Sequence, residues 1–594
     1  MKSAVCMQNG YPILKIDGKP TTAMAYTTYF EERNRYEDFV AAGYRIFFVN
    51  VSFTTLPINP DTGFSPFTVG VFDDPDRPDY SEFEEAVCKI LRKCPDAIIF
   101  PRIYVSMPKW WADAHPDDVI QTKRGGNREI MFSPAFREDG GNMLSTLIAH
   151  IKAADYAPRV GGWMLCGSAT QEWIYRHYLG DLCPAAAEPY RSWVKKTYGD
   201  SDAKRPCAED FAPGPRGPQA SESAKRYAIF SNLAMAETLE HFAKTVKEAT
   251  NHEQVVGTFY GYTFEEFPAT FGSYALRAII SSPYLDFFSS PNAYSQNREF
   301  GIDWADMMPV DSLILHGKLP FMECDIRTYL TTGVQEARPG KYPDDIYTTS
   351  VWAGPPTPLL SQRALRKSFA HQVARGSAIW WFDMWGGWYD DPLLMAELAK
   401  LKSICDAHET ANAPLSSEVV FFADEQAYAN RRTASGSDRV LKNSRIAMGL
   451  SGAPFDTYMV EDAARVLPKY KAAVFPFYLP SEAGQNCVAL CKKLGIPTLS
   501  ATLAHPELGA EEIRAFLKQS GVHLYTEEKD VVYSGNGYLA LHSATGGEKT
   551  LKLPKTCTVT PLFGADAPTQ TTETVRFTLC ECDTALFAIS AVEE

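Results

Sequence analysis

Acidic side chains stand at the ends of two apolar runs with strand-like composition. Gly161–Gly167 leads within five residues to Glu172, and Pro320–Asp325 contains Glu323. Two carboxyl groups that face each other can cleave a glycosidic bond, because one donates a proton to the leaving oxygen while the other attacks the anomeric carbon or activates water. We therefore take Glu172 and Glu323 as the candidate catalytic residues.

The neighbours of these two glutamates differ in a way that suits the two roles. Glu172 is followed by Trp173 and two further apolar or aromatic residues, and an apolar setting raises the pKa of a carboxyl group. Glu323 has Arg327 four residues on, and a nearby cation favours the ionised carboxylate. The sequence thus predicts Glu172 as the acid and Glu323 as the nucleophile.

The elements that must position these residues alternate between strands and helices. Short runs rich in Val, Ile, Phe and Tyr are separated by amphipathic stretches such as Tyr80–Lys93, Met143–Ala154, Glu222–Thr250 and Ser361–Val373. Eight such units in about 400 residues predict a (β/α)8 TIM barrel, whose reacting groups lie at the carboxyl ends of the strands. An open doubly wound sheet is the alternative, but Ala25–Arg35 lacks its glycine-rich phosphate turn. The predicted strands are Thr22–Tyr26, Tyr44–Asn50, Ala97–Val105, Gly161–Gly167, Val255–Tyr262, Leu285–Pro291, Pro320–Asp325 and Ser377–Met384.

Three domains are predicted: 1–412, 413–528 and 529–594. The first begins with a β-hairpin at Ala4–Thr21, marked by Asn-Gly and Asp-Gly pairs, and continues as the barrel. The second repeats the strand–helix pattern from Glu418 and suggests a small flavodoxin-like α/β unit. The third alternates in twos from Val531 and suggests a small antiparallel β-sandwich.

Composition limits the classes of partner. The chain has 594 residues, 45% of them hydrophobic, with 58 Lys and Arg against 72 Asp and Glu, a net charge of −14. An acidic surface disfavours nucleic acid and anionic membranes as partners. No window holds eighteen consecutive apolar residues, and the first residues lack the apolar region of a signal peptide. We therefore expect a protein with neither nucleic-acid nor membrane partners.

The cysteines and histidines indicate neither a disulfide framework nor a metal site. The 13 cysteines are an odd number without a repeated spacing, and they fit reduced, buried thiols in the cytoplasm. His177, His316 and His371 have no metal-ligand spacing and are interpreted as structural. No metal and no cofactor are expected.

Several stretches resemble the family 42 β-galactosidases, which are clan A glycoside hydrolases, or a closely related sister family. The similar stretches are Pro108–Trp111, which contains Trp110, then Gly161–Glu172, Tyr190–Gly199 and Leu285–Gly301. The order of barrel, flavodoxin-like unit and small sandwich also matches the family. The resemblance implies a retaining, exo-acting β-glycosidase in which Glu172 is the acid/base and Glu323 the nucleophile. It further implies that Tyr294 hydrogen-bonds the nucleophile and that the second unit assembles a homotrimer.

Two departures leave the sugar open. The family usually has Asn before the acid/base, where its amide contacts the sugar 2-hydroxyl, and this chain has Gln171. The segment from Glu323 to Thr328 does not match family 42 closely, so a sister family with β-mannosidase activity is an alternative. The substrate expected is an oligosaccharide or glycoside.

Further substrate-binding candidates lie at or near the ends of the predicted strands. Arg102 ends the third strand and Tyr260 the fifth, with Tyr262 nearby as a similar candidate. The aromatic run after the eighth strand offers rings that can stack on sugar faces. The full set of binding candidates is Arg102, Trp110, Gln171, Tyr260, Tyr294, Arg327, Trp381, Asp383 and Trp385.

Two other functions compete with hydrolysis. A phosphorylase on the same barrel needs a basic phosphate pocket near Glu323, for which Arg298 and Arg327 are few. A carbohydrate-binding protein without catalysis is the non-enzymatic alternative, and the presence of both glutamates argues against it. Amidotransfer by the second unit is disfavoured because Tyr478–Ser481 holds neither Cys nor Gly.

Overall fold

The computed structural model describes residues 1–176, 184–211, 219–265, 267–294, 298–408, 414–432 and 439–592. The predicted boundary between the first two domains, at 412/413, lies outside these residues, as does His177. None of the helices described has the length and apolar character needed to cross a bilayer.

Eight parallel strands close into a barrel, which confirms the predicted fold. The first strand pairs with the eighth, Met24 lying opposite Ile379, so that the sheet has no free edge. Each predicted strand is present, and no bound differs from the prediction by more than three residues. The barrel strands are Met24–Thr28, Ile46–Ser52, Ile98–Val105, Gly162–Gly167, Val255–Phe259, Phe287–Ser289, Leu319–Cys324 and Ala378–Asp383.

Helices surround the barrel and begin at recognisable caps. The side chains of Ser133, Ser221 and Thr357 each accept a hydrogen bond from a backbone N–H of the helix that follows. The predicted amphipathic helices are present. The helices of this unit are Tyr36–Ala41, Ser81–Lys93, Lys109–Ala114, Pro134–Ala153, Ala187–Tyr198, Ala208–Phe211, Glu222–Ala249, Leu276–Ile279, Val310–Leu315, Val334–Ala337, Pro358–Arg375 and Pro392–Ala407.

One helix is longer than the sequence indicated. The predicted segment Met143–Ala154 is the second half of Pro134–Ala153, whose first half contains Gly140 and Gly141. A Cβ atom at Gly140 would lie 3.1 Å from the ring of Phe242 on the helix packed against it. The two glycines therefore serve close helix packing, although they lower helix propensity.

A three-stranded antiparallel sheet covers the amino-terminal end of the barrel, as predicted from the hairpin dipeptides. Its strands are Ser3–Gln8, Tyr11–Ile16 and Lys19–Pro20. The Ser3 hydroxyl accepts a hydrogen bond from the backbone N–H of Val255, at the start of the fifth barrel strand. This contact fixes the sheet on the floor of the barrel, away from the carboxyl ends of the strands.

The second unit is a four-stranded parallel sheet with helices. Its spatial order is second, first, third and fourth strand, which is the flavodoxin-like order. The strands are Val419–Ala423, Asp456–Met459, Ala472–Phe475 and Thr498–Ser500, and the helices are Val440–Gly449, Ala463–Val466, Glu482–Leu494 and Ala510–Gln519.

The C-terminal unit is one curved antiparallel sheet of five strands. The long strand is irregular between Lys552 and Cys557 and exchanges neighbours along its length, which curves the sheet over a small core of its own. The other face of the sheet packs on the helix Pro358–Arg375. The antiparallel unit is therefore present, but the predicted β-sandwich is wrong, because all five strands belong to one sheet. They are Val531–Gly535, Tyr538–Ser543, Gly547–Phe563, Gln570–Leu579 and Asp583–Ala591.

Candidate active site

Glu172 and Glu323 line the same cavity, at the carboxyl ends of the barrel strands. The cavity has a volume of about 180 Å³. This is below the range of roughly 300–1,000 Å³ that is typical of pockets enclosing drug-sized ligands, and it is the scale of one small ring. Eight aromatic side chains line it: Tyr29, Phe64, Phe259, Tyr294, Tyr347, Trp352, Phe382 and Trp385.

Glu172 lies in a loop with unusual backbone geometry. Ser168, Thr170, Gln171 and Trp173 all have positive φ, between 51° and 72°, although none is glycine. Tyr104 donates to the backbone oxygen of Ser168 at 2.8 Å and so helps to hold this loop. Strained backbone of this kind concentrates at functional sites, because the surrounding structure must hold it in place.

The Glu172 carboxylate accepts two hydroxyl hydrogen bonds. Tyr262 donates to Oε1 at 3.1 Å, and the neighbouring Thr170 donates to Oε2. Burial raises the pKa of Glu172 to about 7, although both hydroxyl groups act to lower it. The surroundings of Glu172 in the fold therefore favour its protonated form.

Glu323 is almost completely buried on the seventh strand, with 4% of its surface exposed. No hydrogen bond from the described residues reaches its carboxylate. Burial raises its pKa well above the ordinary value, the negative charges of Asp325 and Glu172 raise it further, and Arg102 and Arg298 lower it. Because Glu323 and Asp325 interact strongly, these two carboxyl groups titrate as a pair, and burial and the charge of Asp325 favour the proton on Glu323.

Asp325, two residues beyond Glu323, takes the contacts that the sequence assigned to the nucleophile. Arg327 donates to Asp325 and not to Glu323, because the chain leaves the strand between these residues and turns the guanidinium back on Asp325. The Tyr294 hydroxyl likewise donates to Asp325 Oδ2, at 2.7 Å. The expected contacts of Arg327 and Tyr294 with Glu323 are therefore absent from this structure.

Asp325 is held as an anion by two arginines. Arg298 lies 2.6 Å from its Oδ1, and Arg327 contacts Oδ2. Burial alone would raise the pKa of Asp325, but these cations lower it below its ordinary value. A fixed negative charge therefore lies beside Glu323.

Four of the predicted binding residues lie in or beside the cavity. Arg102, Tyr294 and Trp385 line it directly. Gln171 is fully buried, accepts a hydrogen bond from the Tyr29 hydroxyl at 3.1 Å, and has an Nε2 atom without a partner among the described residues. A buried donor without a partner is costly, which points to a ligand oxygen as its partner.

The structure does not bring four other candidates to the cavity. Trp110 donates to the backbone oxygen of Phe72, and Tyr260 donates to that of Gly272. Trp381 points out of the barrel, where its indole donates to the Tyr44 hydroxyl. Asp383 accepts hydrogen bonds from Tyr26, Gly387 and Trp388, so it organises the loop after the eighth strand.

Sequence reasoning missed several lining residues that belong to long loops. Asn59 and Phe64 follow the second strand, Tyr347 and Trp352 follow the seventh, and Tyr29 follows the first. Loop residues have no periodic pattern that assigns a direction to the side chain. The available signal was the length of the loops at the carboxyl ends of these strands, where barrel enzymes build their sites.

A larger cavity, of about 580 Å³, lies at the opposite end of the molecule. It is bounded by the N-terminal sheet, the eighth strand and the C-terminal sheet, and Tyr11 and His408 are among its lining residues. It contains neither glutamate, and it adjoins residues 409–413, which are not described. Because it lies at the amino-terminal end of the barrel, we place the chemistry in the smaller cavity.

Metal-binding groups do not converge in the part of the chain that is described. No set of three His, Cys, Asp or Glu side chains there is arranged to hold an ion. His316 contacts Asp462 at 2.8 Å and His371 contacts Asp306 at 3.3 Å, so both are engaged in ion-pair geometry.

In the second unit, the protein's own side chain occupies the crevice at the carboxyl ends of the strands, where flavodoxin-like sheets bind ligands. Asp424 follows the first strand of this sheet and accepts the backbone N–H of Ser481, at the start of the helix Glu482–Leu494. A Cβ atom at Gly484 would lie 2.2 Å from the same carboxylate. The protein's own carboxylate thus occupies the anion site at this helix terminus.

Three solved structures show the same fold along almost the whole chain. A β-galactosidase from Rahnella sp. R3 has a TM-score of 0.63 at 12% identity, covering 97% of this chain and 99% of that one. A family 42 β-galactosidase from G. stearothermophilus has a TM-score of 0.61 at 10% identity, with coverages of 96% and 98%. A family 42 exo-carrageenase from Bacteroides ovatus has a TM-score of 0.59 at 13% identity, with coverages of 100% and 85%.

The likeness is one of fold. No family model matches the sequence, and no curated protein matches it. The architecture of barrel, flavodoxin-like unit and antiparallel sheet is that of the family 42 glycoside hydrolases, as the resemblance implied.

Proposed function

We propose that this protein is a retaining, exo-acting β-glycosidase that removes a terminal β-linked sugar. One observation carries the proposal: Glu172 and Glu323 come from distant parts of the chain and line one cavity on the scale of a sugar ring. The cavity lies where barrel enzymes place their reacting groups, and the fold shared with β-galactosidases supports the same conclusion.

The two carboxyl groups divide the reaction between them. Glu172, protonated, gives its proton to the glycosidic oxygen as the bond from that oxygen to the anomeric carbon breaks. Glu323, ionised, forms an ester bond to the anomeric carbon. A water molecule then loses a proton to Glu172 and attacks the same carbon, which releases Glu323 and restores both groups.

The raised pKa of Glu172 supplies the single proton that this cycle needs. The reactive form carries a proton on Glu172, whose pKa of about 7 keeps it largely protonated below neutral pH, and none on Glu323, whose ionised form Arg102 and Arg298 favour. Retention requires the two carboxyl groups to be about 5–5.5 Å apart. Arg102 lines the same cavity, and its charge stabilises an ionised carboxylate there.

We propose galactose as the terminal sugar, with β-mannoside as the alternative that the departures from family 42 leave open. The support for galactose is that two proteins with the same fold are β-galactosidases. The unpartnered Nε2 of Gln171 is the candidate donor to a sugar hydroxyl, and the Arg102 guanidinium is a second.

Phosphorolysis is less well supported than hydrolysis. Arg298 and Arg327, the cations considered for a phosphate, both pair with Asp325. Among the described lining residues, Arg102 is the cation that remains for an anion.

We retain the homotrimer and the cytoplasm as parts of the proposal. Asp424 fills the ligand crevice of the flavodoxin-like unit, which favours an interface role for that unit. The described cysteines are free thiols, which fits a reducing compartment.

A panel of nitrophenyl β-glycosides tests this function, with Glu323→Gln as the variant. We expect one pyranoside to be hydrolysed without added phosphate, and the variant to lose at least about 10⁴-fold in kcat because the attacking oxygen is lost. Absence of turnover on every pyranoside favours the binding protein, and turnover only with phosphate favours the phosphorylase. A near-native rate in Glu323→Gln contradicts the assignment of the nucleophile.

A further inference from the structure

We propose that the leaving-group side of the cavity is built for a flat, apolar aglycone in preference to a second sugar. This inference rests on the proposed glycosidase function and names the substrate class of the same site. It is based on four aromatic rings that line the cavity and on the hydrogen bonds that already occupy the polar groups around them.

The four rings form a continuous wall, which we call the aromatic wall: Phe64, Tyr347, Trp352 and Trp385. Their ring centres are 4.6 Å apart for Tyr347 and Trp352, 5.1 Å for Phe64 and Trp385, and 5.4 Å for Tyr347 and Trp385. These separations are those of interacting aromatic pairs, so each ring fixes its neighbours.

The aromatic wall is built from loops, as is the segment that carries the acid Glu172, whereas the nucleophile Glu323 lies on a barrel strand. Arg102, Phe259, Glu323 and Phe382 belong to the barrel strands themselves. The four wall residues belong instead to the loops that follow the second, seventh and eighth strands. In the proposed mechanism the leaving oxygen takes its proton from Glu172, so the leaving group lies at the loop-built end of the cavity, beside the wall.

Hydrogen bonds within the protein already occupy the polar groups around the wall. Asn59 Nδ2 donates to the Tyr347 hydroxyl at 3.2 Å, and its Oδ1 accepts the backbone N–H groups of Asp61 and Thr62. Thr170 is bonded to Glu172. Among the described residues, the donors left at the wall are the indole N–H groups of Trp352 and Trp385 and, beside the Trp352 ring, Nε and Nη2 of Arg327, and no carboxylate or amide oxygen at the wall is left as an acceptor.

This arrangement discriminates between two kinds of leaving group. A second sugar ring brings several hydroxyl groups, and each one buried without a partner weakens binding. An aromatic aglycone has no such groups and gains contact with the ring faces. The wall therefore penalises a sugar more than an apolar ring.

The wall is also held in place before any ligand arrives. Tyr347 has a left-handed backbone, with φ of 54°, and the Asn59 amide holds its hydroxyl group. The Arg327 guanidinium lies 4.7 Å from the Trp352 ring on the side of Asp325. A site that is already ordered loses less entropy when it binds its ligand.

Comparison of two substrates with the same sugar tests the inference. Benzyl β-D-galactoside and lactose both release an alcohol, so the chemical step is similar; benzyl β-D-mannoside and β-1,4-mannobiose replace them if the enzyme prefers mannose. We expect kcat/KM for the benzyl glycoside to exceed that for the disaccharide at least tenfold. An equal or higher value for the disaccharide overturns the inference and leaves the glycosidase function standing, whereas failure to cleave any glycoside refutes the function itself.

Variants of the wall give an independent readout. Trp352→Ala should lower kcat/KM for the benzyl glycoside at least tenfold and change that for the disaccharide less than threefold, and Trp352→Phe should restore most of the loss. Phe64→Leu, which keeps an apolar side chain but removes a flat face, should act in the same direction if Trp352→Ala does not fold. Trp110→Phe, which changes a tryptophan outside the cavity, should leave the ratio of kcat/KM for the benzyl glycoside to kcat/KM for the disaccharide unchanged. An unchanged ratio in a folded wall variant contradicts the inference.

Discussion

Replacing Glu172 with glutamine removes the proton donor and preserves the size of the side chain. In the wild type, burial raises the pKa of Glu172 to about 7. The proposed mechanism needs Glu172 protonated, so kcat/KM for a substrate with a poor leaving group should fall as the pH rises through about 7. Because glutamine does not ionise, the variant should lack this fall.

The pKa of Glu172 sets how far kcat/KM of the wild type should fall at each pH. At pH 8 about one Glu172 in eleven is protonated, and each further pH unit lowers that share about tenfold. At pH 6, where the acid is largely protonated, the variant should lose about 10²–10⁴ in kcat/KM, the usual contribution of a general acid. Removal of Glu172 also removes a negative charge near Glu323, which lowers the pKa of that residue.

The assay is kcat/KM between pH 5 and 9 for an alkyl β-glycoside, with a nitrophenyl glycoside of the same sugar as the control. The nitrophenyl leaving group departs without protonation, so it should lose much less in the first step, and added azide should partly rescue the variant. A variant that keeps the same fall above pH 7, or that loses equally on both substrates, would refute the assignment of Glu172 as the acid.

Two further predictions concern the surroundings of the pair. Asp325→Asn removes the fixed charge beside Glu323, so the pKa of Glu323 should fall and the acid limb of the pH–rate profile should move to lower pH; it should also cost about 3–5 kcal/mol of stability, because Arg298 and Arg327 lose their partner. An acid limb that stays in place, or moves to higher pH, contradicts the role given to Asp325. Gly354→Ala would place a Cβ atom 1.8 Å from the backbone oxygen of Thr328, and we expect a loss of about 1–3 kcal/mol by thermal unfolding, with weaker binding of apolar aglycones because Trp352 is two residues away. A Tm equal to that of the wild type would show that this segment moves freely.

The barrel was predictable because its strands are buried on both faces. Ile46–Ser52 and Ile98–Val105 are buried at every position, so they appear in the sequence as continuous apolar runs. The carboxyl ends of parallel strands meet at one end of a barrel, which brought Glu172 and Glu323 together in the prediction.

Side-chain direction limited the remaining predictions. Trp381 and Trp385 were equal candidates, but Trp381 faces outward from its strand while Trp385 follows the strand and reaches the cavity. Glu323 and Arg327 are four residues apart but do not contact each other, because the strand ends between them at Cys324. Tyr347 and Trp352 come from a loop whose path depends on contacts with the rest of the molecule.

A crystal structure of the protein with a bound monosaccharide addresses the pairing of the glutamates most directly. We predict one sugar ring in the 180 Å³ cavity, with the two carboxyl groups about 5–5.5 Å apart on either side of its anomeric carbon. A ring bound elsewhere, or one that contacts only one of Glu172 and Glu323, would contradict the proposed double displacement.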